Sequence, residues 1–166
     1  MKKIQSVTVG SGGAANIEFT SIPGTFDDLA IYLSARSSTT YGNAWYEAKL
    51  QLNSSDGSSR ELYGTGSGTG SGTEASQIRI LGVTSSGATA STFGSAFIYI
   101  PNYAGSTNKS VSVDSVSENN ATASIAASAA GLWANTAAVT SLKFLLLSSA
   151  NFAQHSTAVL YGIKKS

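Results

Sequence analysis

The sequence predicts an all-β chain, a two-sheet antiparallel β-sandwich or a small barrel, built as a single domain over residues 1–166. Three observations carry this. Short segments with alternating apolar and polar residues recur along the whole chain. Clusters of Gly, Ser, Asn and Asp separate them at the spacing of an all-β fold. No stretch has convincing helical periodicity, and 166 residues suffice for a core without covalent staples.

The segments follow in order. Residues 4–9 alternate loosely and stop at Gly10, Ser11, Gly12 and Gly13. Residues 15–22 set Ile17 and Phe19 on one face and end at the Pro23-Gly24 turn signal. Residues 28–36 carry Leu29, Ile31 and Leu33 on one side. The cleanest period of two is in residues 46–53, with Ala48, Leu50 and Leu52 inward and Glu47, Lys49 and Gln51 outward. Further strands are expected over 60–63, 77–83 and 94–100. In the last, Phe97 and Tyr99 alternate with Ala96, Ile98 and Ile100, so both faces are covered. Residues 109–118 offer Val111, Val113 and Val116 to a core.

Residues 121–130 are the one helix candidate, because alanine has the best helix propensity. Interspersed Ser and Thr and the following Gly131 favour a strand over 124–133 instead. Residues 139–147 place Leu142, Phe144 and Leu146 in step, and residues 157–163 close the series with Val159, Tyr161 and Ile163. Residues 64–73, a Gly/Ser/Thr tract, are expected to form a flexible exposed loop.

Composition narrows the function. Charged residues make up 11% of the chain, against roughly 25% in ordinary globular proteins. Ser and Thr together number 45, so hydroxyls supply most of the polar surface, as suits shells, fibres and secreted proteins. A net charge of +1 gives no electrostatic case for nucleic acid or an anionic membrane. With no cysteine there is no disulfide, thiolate metal site or thiol chemistry. No apolar region follows Met1-Lys2-Lys3, so a cleaved leader is not expected, and the apolar runs are too short to span a bilayer.

The candidate sites each have a plain structural reading. The glycine tract fits neither a dinucleotide loop nor a phosphate loop, having glycine at every second position and no Lys-Ser or Lys-Thr after it. His155, the single histidine, lies outside any GxSxG elbow and reads as a surface side chain. The carboxylates are expected at turns and outward strand positions, with Asp27-Asp28 solvating the start of a strand; a glycosidase pair is not indicated. The expectation is no enzyme activity, no cofactor and no metal. Tyr41, Trp45 and Tyr46 surround Gly42-Asn43 and are the candidate contact for a glycan or protein partner, the alternative being rings folded over the core. Trp133 reads as core or subunit interface.

Four stretches carry a family resemblance: FGSAFIYIPNY at 93–103, KSVSVDSVSENN at 109–120, GLWANT at 131–136 and STAVLYGI at 156–163. With Ile22, Asp28-Leu29 and the SAR of 34–36, they resemble small virion structural proteins of tailed bacteriophages, notably marine and cyanobacterial phages, over about residues 5–163. The resemblance implies a jelly-roll sandwich that assembles as a homotrimer. Its place would be the outer capsid surface, as a decoration (cement) protein bound to the major capsid protein. The alternative place is a tail fibre or appendage, as an adhesion module for host-surface carbohydrate. It transfers no individual binding residue.

Overall fold

The computed structural model describes residues 1–40, 44–120 and 123–164. Among the described residues twelve strands and one short 3-10 turn follow in order: β1 (Lys2–Thr8), β2 (Asn16–Phe19), β3 (Asp28–Ala35), β4 (Trp45–Leu52), β5 (Ser58–Thr65), β6 (Gly68–Glu74), β7 (Ile78–Thr84), β8 (Gly94–Ile100), β9 (Lys109–Glu118), β10 (Ser124–Trp133), β11 (Leu142–Leu146), the turn at Leu147–Ser149, and β12 (Thr157–Ile163). They form two antiparallel sheets, one of eight strands ordered β1-β12-β3-β8-β9-β10-β5-β6 and one of four ordered β2-β11-β4-β7. The fold is a β-sandwich.

Alternation governs which face each strand buries. Along β4, Tyr46, Ala48, Leu50 and Leu52 are buried while the residues between them are half-exposed. In β9 the inward set is Lys109, Val111, Val113, Ser115 and Ser117, so Val116 points out, 51% exposed, contrary to the expected core position. The period of two leaves no choice once Val111 and Val113 face in. The core between the sheets is one cluster in which Ile17, Phe19, Leu50, Leu52, Ile78, Phe144 and Phe152 are fully enclosed. Each such side chain contributes about 1.5–3 kcal/mol relative to exposure. Trp133 belongs to this core, 3% exposed, and its indole N–H donates to Ser55 Oγ at 2.6 Å.

The alanine-rich segment is strand β10, paired along its length with β9 on one side and β5 on the other. The Gly/Ser/Thr tract corrects the expectation of a flexible loop. Apart from the turn residues it lies in β5 and β6, which pair residue for residue from Ser59↔Glu74 to Thr65↔Gly68. Its glycines alternate because β6 has backbone only on its inner side. A methyl group on Gly70 would sit 2.6 Å from Tyr63 Oη, and one on Gly72 would fall on the Glu61 carboxylate. Tyr63 and Glu61 of β5 lie across the places where β6 side chains would be.

β7, the edge of the smaller sheet, packs over β9 and β10. β5 and β6 continue the larger sheet past it, and Arg79 of β7 reaches out to them. Its guanidinium meets Glu47 at 2.5 Å, Glu74 at 2.8 Å and Glu61 at 3.7 Å.

Candidate interaction face

The outward residues of the eight-stranded sheet follow from its register. One row across the middle strands reads Val159, Tyr32, Phe97, Asp114, Ser128, Leu62 and Ser71. A parallel row reads Ser34, Ser95, Val116, Ala126, Gly64 and Thr69. Tyr32, Leu62, Val116 and Leu132 on this face are 46%, 70%, 51% and 44% exposed. Beside Leu62 and Val116 the small outward side chains Ala126 and Ser128 of β10 leave a shallow depression open to solvent, and Ala130 leaves a second one beside Arg60 and Ser112. Tyr32 is flanked by Phe97 at 5.1 Å between ring centres and by Tyr161 edge-on at 5.8 Å.

The other outer face has a different chemistry. Lys143 meets Glu18 at 3.3 Å across β11 and β2, and Lys49 meets Asp56 at 3.0 Å. Arg79 completes the row with its three carboxylates. Burial works against the Arg79 charge, but the hydrogen bond and charge of Glu47, with Glu61 and Glu74, outweigh it and raise its pKa. These ion pairs of Lys143, Lys49 and Arg79 lie on this side or on the β5–β6 overhang beside it. On the eight-stranded face Asp114 instead accepts a hydrogen bond from Ser128 Oγ at 2.7 Å.

The residues singled out in the sequence do not assemble into one site. Tyr41 lies outside the described residues. Trp45 is half-buried at the start of β4. Tyr46 is core, 3% exposed, with its hydroxyl donating to the Leu147 carbonyl at 3.0 Å. Tyr46 is therefore withdrawn from any contact surface, because the alternation that buries Ala48 and Leu50 buries it as well. His155 is exposed in a turn at φ 71°, its backbone N–H donating to Val9 O.

Two carboxylates depart from the expected solvent-facing placement: Asp28, expected to solvate the start of a strand, and Glu61 are both buried. Asp28 is 1% exposed and accepts from Tyr99 Oη at 2.7 Å and from the Asn102 N–H at 3.0 Å, so it ties β3 to the turn after β8. Glu61 is 2% exposed. One carboxylate oxygen accepts from Ser59 Oγ, while the other, Oε2, is buried without a hydrogen-bond donor. Among the described residues no group of three His, Cys, Asp or Glu is arranged to hold a metal ion, and no helix is long and apolar enough to cross a membrane.

No protein-family model, curated protein or solved structure matches the chain.

Proposed function

We propose that this chain is a non-catalytic structural subunit of a phage particle, a capsid decoration protein that sits on the outer surface of the head as a homotrimer. The observation that carries this reading is the division of chemistry between the two outer faces. The smaller sheet presents ion pairs, which suit contact with water. The larger sheet presents exposed Leu62, Val116, Leu132 and Tyr32 among hydroxyls and alanines, with Arg60, Asp114 and Glu118 as its outward charges, a mixture that suits burial against another protein. Apolar residues grouped on one face mark an interaction site more than the same residues scattered. A protein that binds only the assembled shell stabilises it by linkage, and three-fold presentation multiplies modest contacts. The resemblance supplies the virion setting and the partner, the major capsid protein.

The test is immunogold electron microscopy of intact particles, followed by rebinding of the purified protein to heads that lack it. Label over the head is expected. Leu62→Lys combined with Val116→Lys should abolish rebinding, while Lys49→Ala on the opposite face should leave it intact. Rebinding unaffected by the double change would remove the eight-stranded face from the contact.

A second reading, a tail-associated adhesion module for host-surface carbohydrate, is favoured by the exposed Tyr32 ring beside Phe97 and Tyr161. Label confined to the tail, with glycan binding lost in Tyr32→Ala, would select it over the first.

A further inference from the structure

The two edges of the eight-stranded sheet are built differently. β1 carries Lys2 and Lys3 and a register shift between Lys3 and Gln5. Edge lysines and bulges are the usual devices that keep a free edge from pairing with another chain. β6, the opposite edge, has no lysine, arginine or proline and runs in unbroken register with β5. In an antiparallel pair every second residue turns its N–H and C=O away from the partner. With Gly66-Ser67 as a two-residue turn, the outward-turned residues of β6 are Thr69, Ser71 and Thr73.

The sequence of β6 is close to a palindrome about Ser71. Set antiparallel to a second copy with Ser71 on the two-fold axis, Thr69 faces Thr73, Gly70 faces Gly72 and Ser71 faces itself. The two Glu74 residues then lie at opposite ends, whereas parallel pairing would place them side by side. Hydroxyls meet hydroxyls on the outer face, and glycine meets glycine on the inner face.

The inner face adds an observation of its own. Tyr63 Oη lies 2.6 Å from where a Gly70 methyl would be, and the Glu61 carboxylate occupies the corresponding place at Gly72. Since Gly70 of one copy faces Gly72 of the other, the Tyr63 hydroxyl of each copy comes beside the Glu61 carboxylate of its partner. Directly opposed Cβ positions are about 4.5–5.5 Å apart, within the range a small side-chain rotation closes. Glu61 Oε2 is the buried oxygen that accepts no hydrogen bond within the single chain, Arg79 Nη1 standing off from it at 3.7 Å.

We infer that β6 is a self-association edge: two copies of this chain pair β6 to β6 about a two-fold axis at Ser71, continuing the sheet, with Tyr63 of each donating to Glu61 of the other. The contact is independent of the virion reading. It is isologous, so it joins two assemblies of any symmetry formed through other faces.

The test is sedimentation velocity on the purified chain across a concentration series. Whatever assembly the wild type forms, Ser71→Lys and Ser71→Glu are each expected to halve its mass, because each puts two like charges on the axis. An equimolar mixture of the two variants should restore the mass by pairing Lys with Glu. Tyr63→Phe should weaken the association by roughly a hundredfold, two charge-assisted bonds being lost per pair. The inference is overturned by a wild type whose mass is unchanged in both Ser71 variants, or by a mixture that stays at half mass. An unchanged affinity in Tyr63→Phe would remove the bond to Glu61. A trimer that persists in Ser71→Lys leaves the proposed function untouched.

Discussion

Gly94 of β8 lies directly beneath the carbonyl of Gly82 in β7, so the two sheets touch there backbone to backbone. A methyl group on Gly94 would overlap that carbonyl, and one on Gly82 would come 2.6 Å from the Val116 nitrogen. Neither neighbour is a flexible side-chain end, so the main chain itself has to move. Gly94→Ala is expected to destabilise the fold by about 3 kcal/mol or more, at the upper end of overpacking effects. Gly10→Ala, which meets nothing within 4 Å, should stay within about 0.5 kcal/mol of wild type. Urea midpoints at constant slope decide between them.

The β5–β6 hairpin gives a second glycine contrast. Gly72→Ala should loosen the hairpin by driving the Glu61 carboxylate off β6, whereas Gly68→Ala has open space. Hydrogen exchange at the Gly70 and Gly72 amides, which turn toward β5, is the measurement. Slow exchange in wild type and faster exchange in Gly72→Ala are expected; fast exchange in wild type would return the segment to a flexible loop.

Arg36 organises the loop between β7 and β8. Its guanidinium donates to the carbonyls of Thr89 at 2.8 Å, Thr92 at 3.0 Å, Ser86 at 2.9 Å and Ala88 at 2.9 Å. A lysine has three donors on one nitrogen and cannot reproduce that planar fork. Arg36→Lys should cost about 2 kcal/mol, with faster exchange confined to residues 85–92. Uniform loss of protection across both sheets would contradict a local clamp.

Alkaline stability should fall in a defined window. The hydrogen bond from Tyr99 to Asp28, then burial and the charge of Asp28, hold the Tyr99 pKa above 10.0. Burial, aided by the charge of Asp27 and opposed by the Phe26 hydrogen bond, does the same for Tyr103. A raised folded-state pKa means the unfolded chain releases the proton first. The stabilisation is therefore complete below pH 10 and is lost as pH rises through the folded values. Melting temperature is expected to drop from about pH 10 upward, and less steeply in Tyr99→Phe. An identical pH slope in that variant would show that the Asp28 contact does not couple to unfolding.

The sequence predicted strands well where side chains could alternate. β4, β8 and β9 have both an apolar and a polar set, and the period of two is visible in them. β6 was hidden because its inner set is glycine, and the reason for those glycines lies on another strand, in Tyr63 and Glu61. The burial of Asp28 was equally out of reach, since its donors Tyr99 and Asn102 are more than seventy residues away. The outward face of the larger sheet was legible only as composition. Which outward residues become neighbours depends on strand order, and β12 beside β3 or β10 beside β5 is not written in local pattern.

That strand order also governs when the fold can close during synthesis. β3 sits between β8 and β12, and β1 pairs only with β12 within its sheet. Until residues 157–163 clear the ribosome, the Leu29–Leu33 strand keeps a bare edge and the amino-terminal strand has nothing to join. Non-local pairing of this kind is slow to form and prone to aggregation while incomplete. A nascent chain stalled before β12 would expose an apolar strand edge, so translation rate and chaperone access should limit yield more than the stability of the finished sandwich.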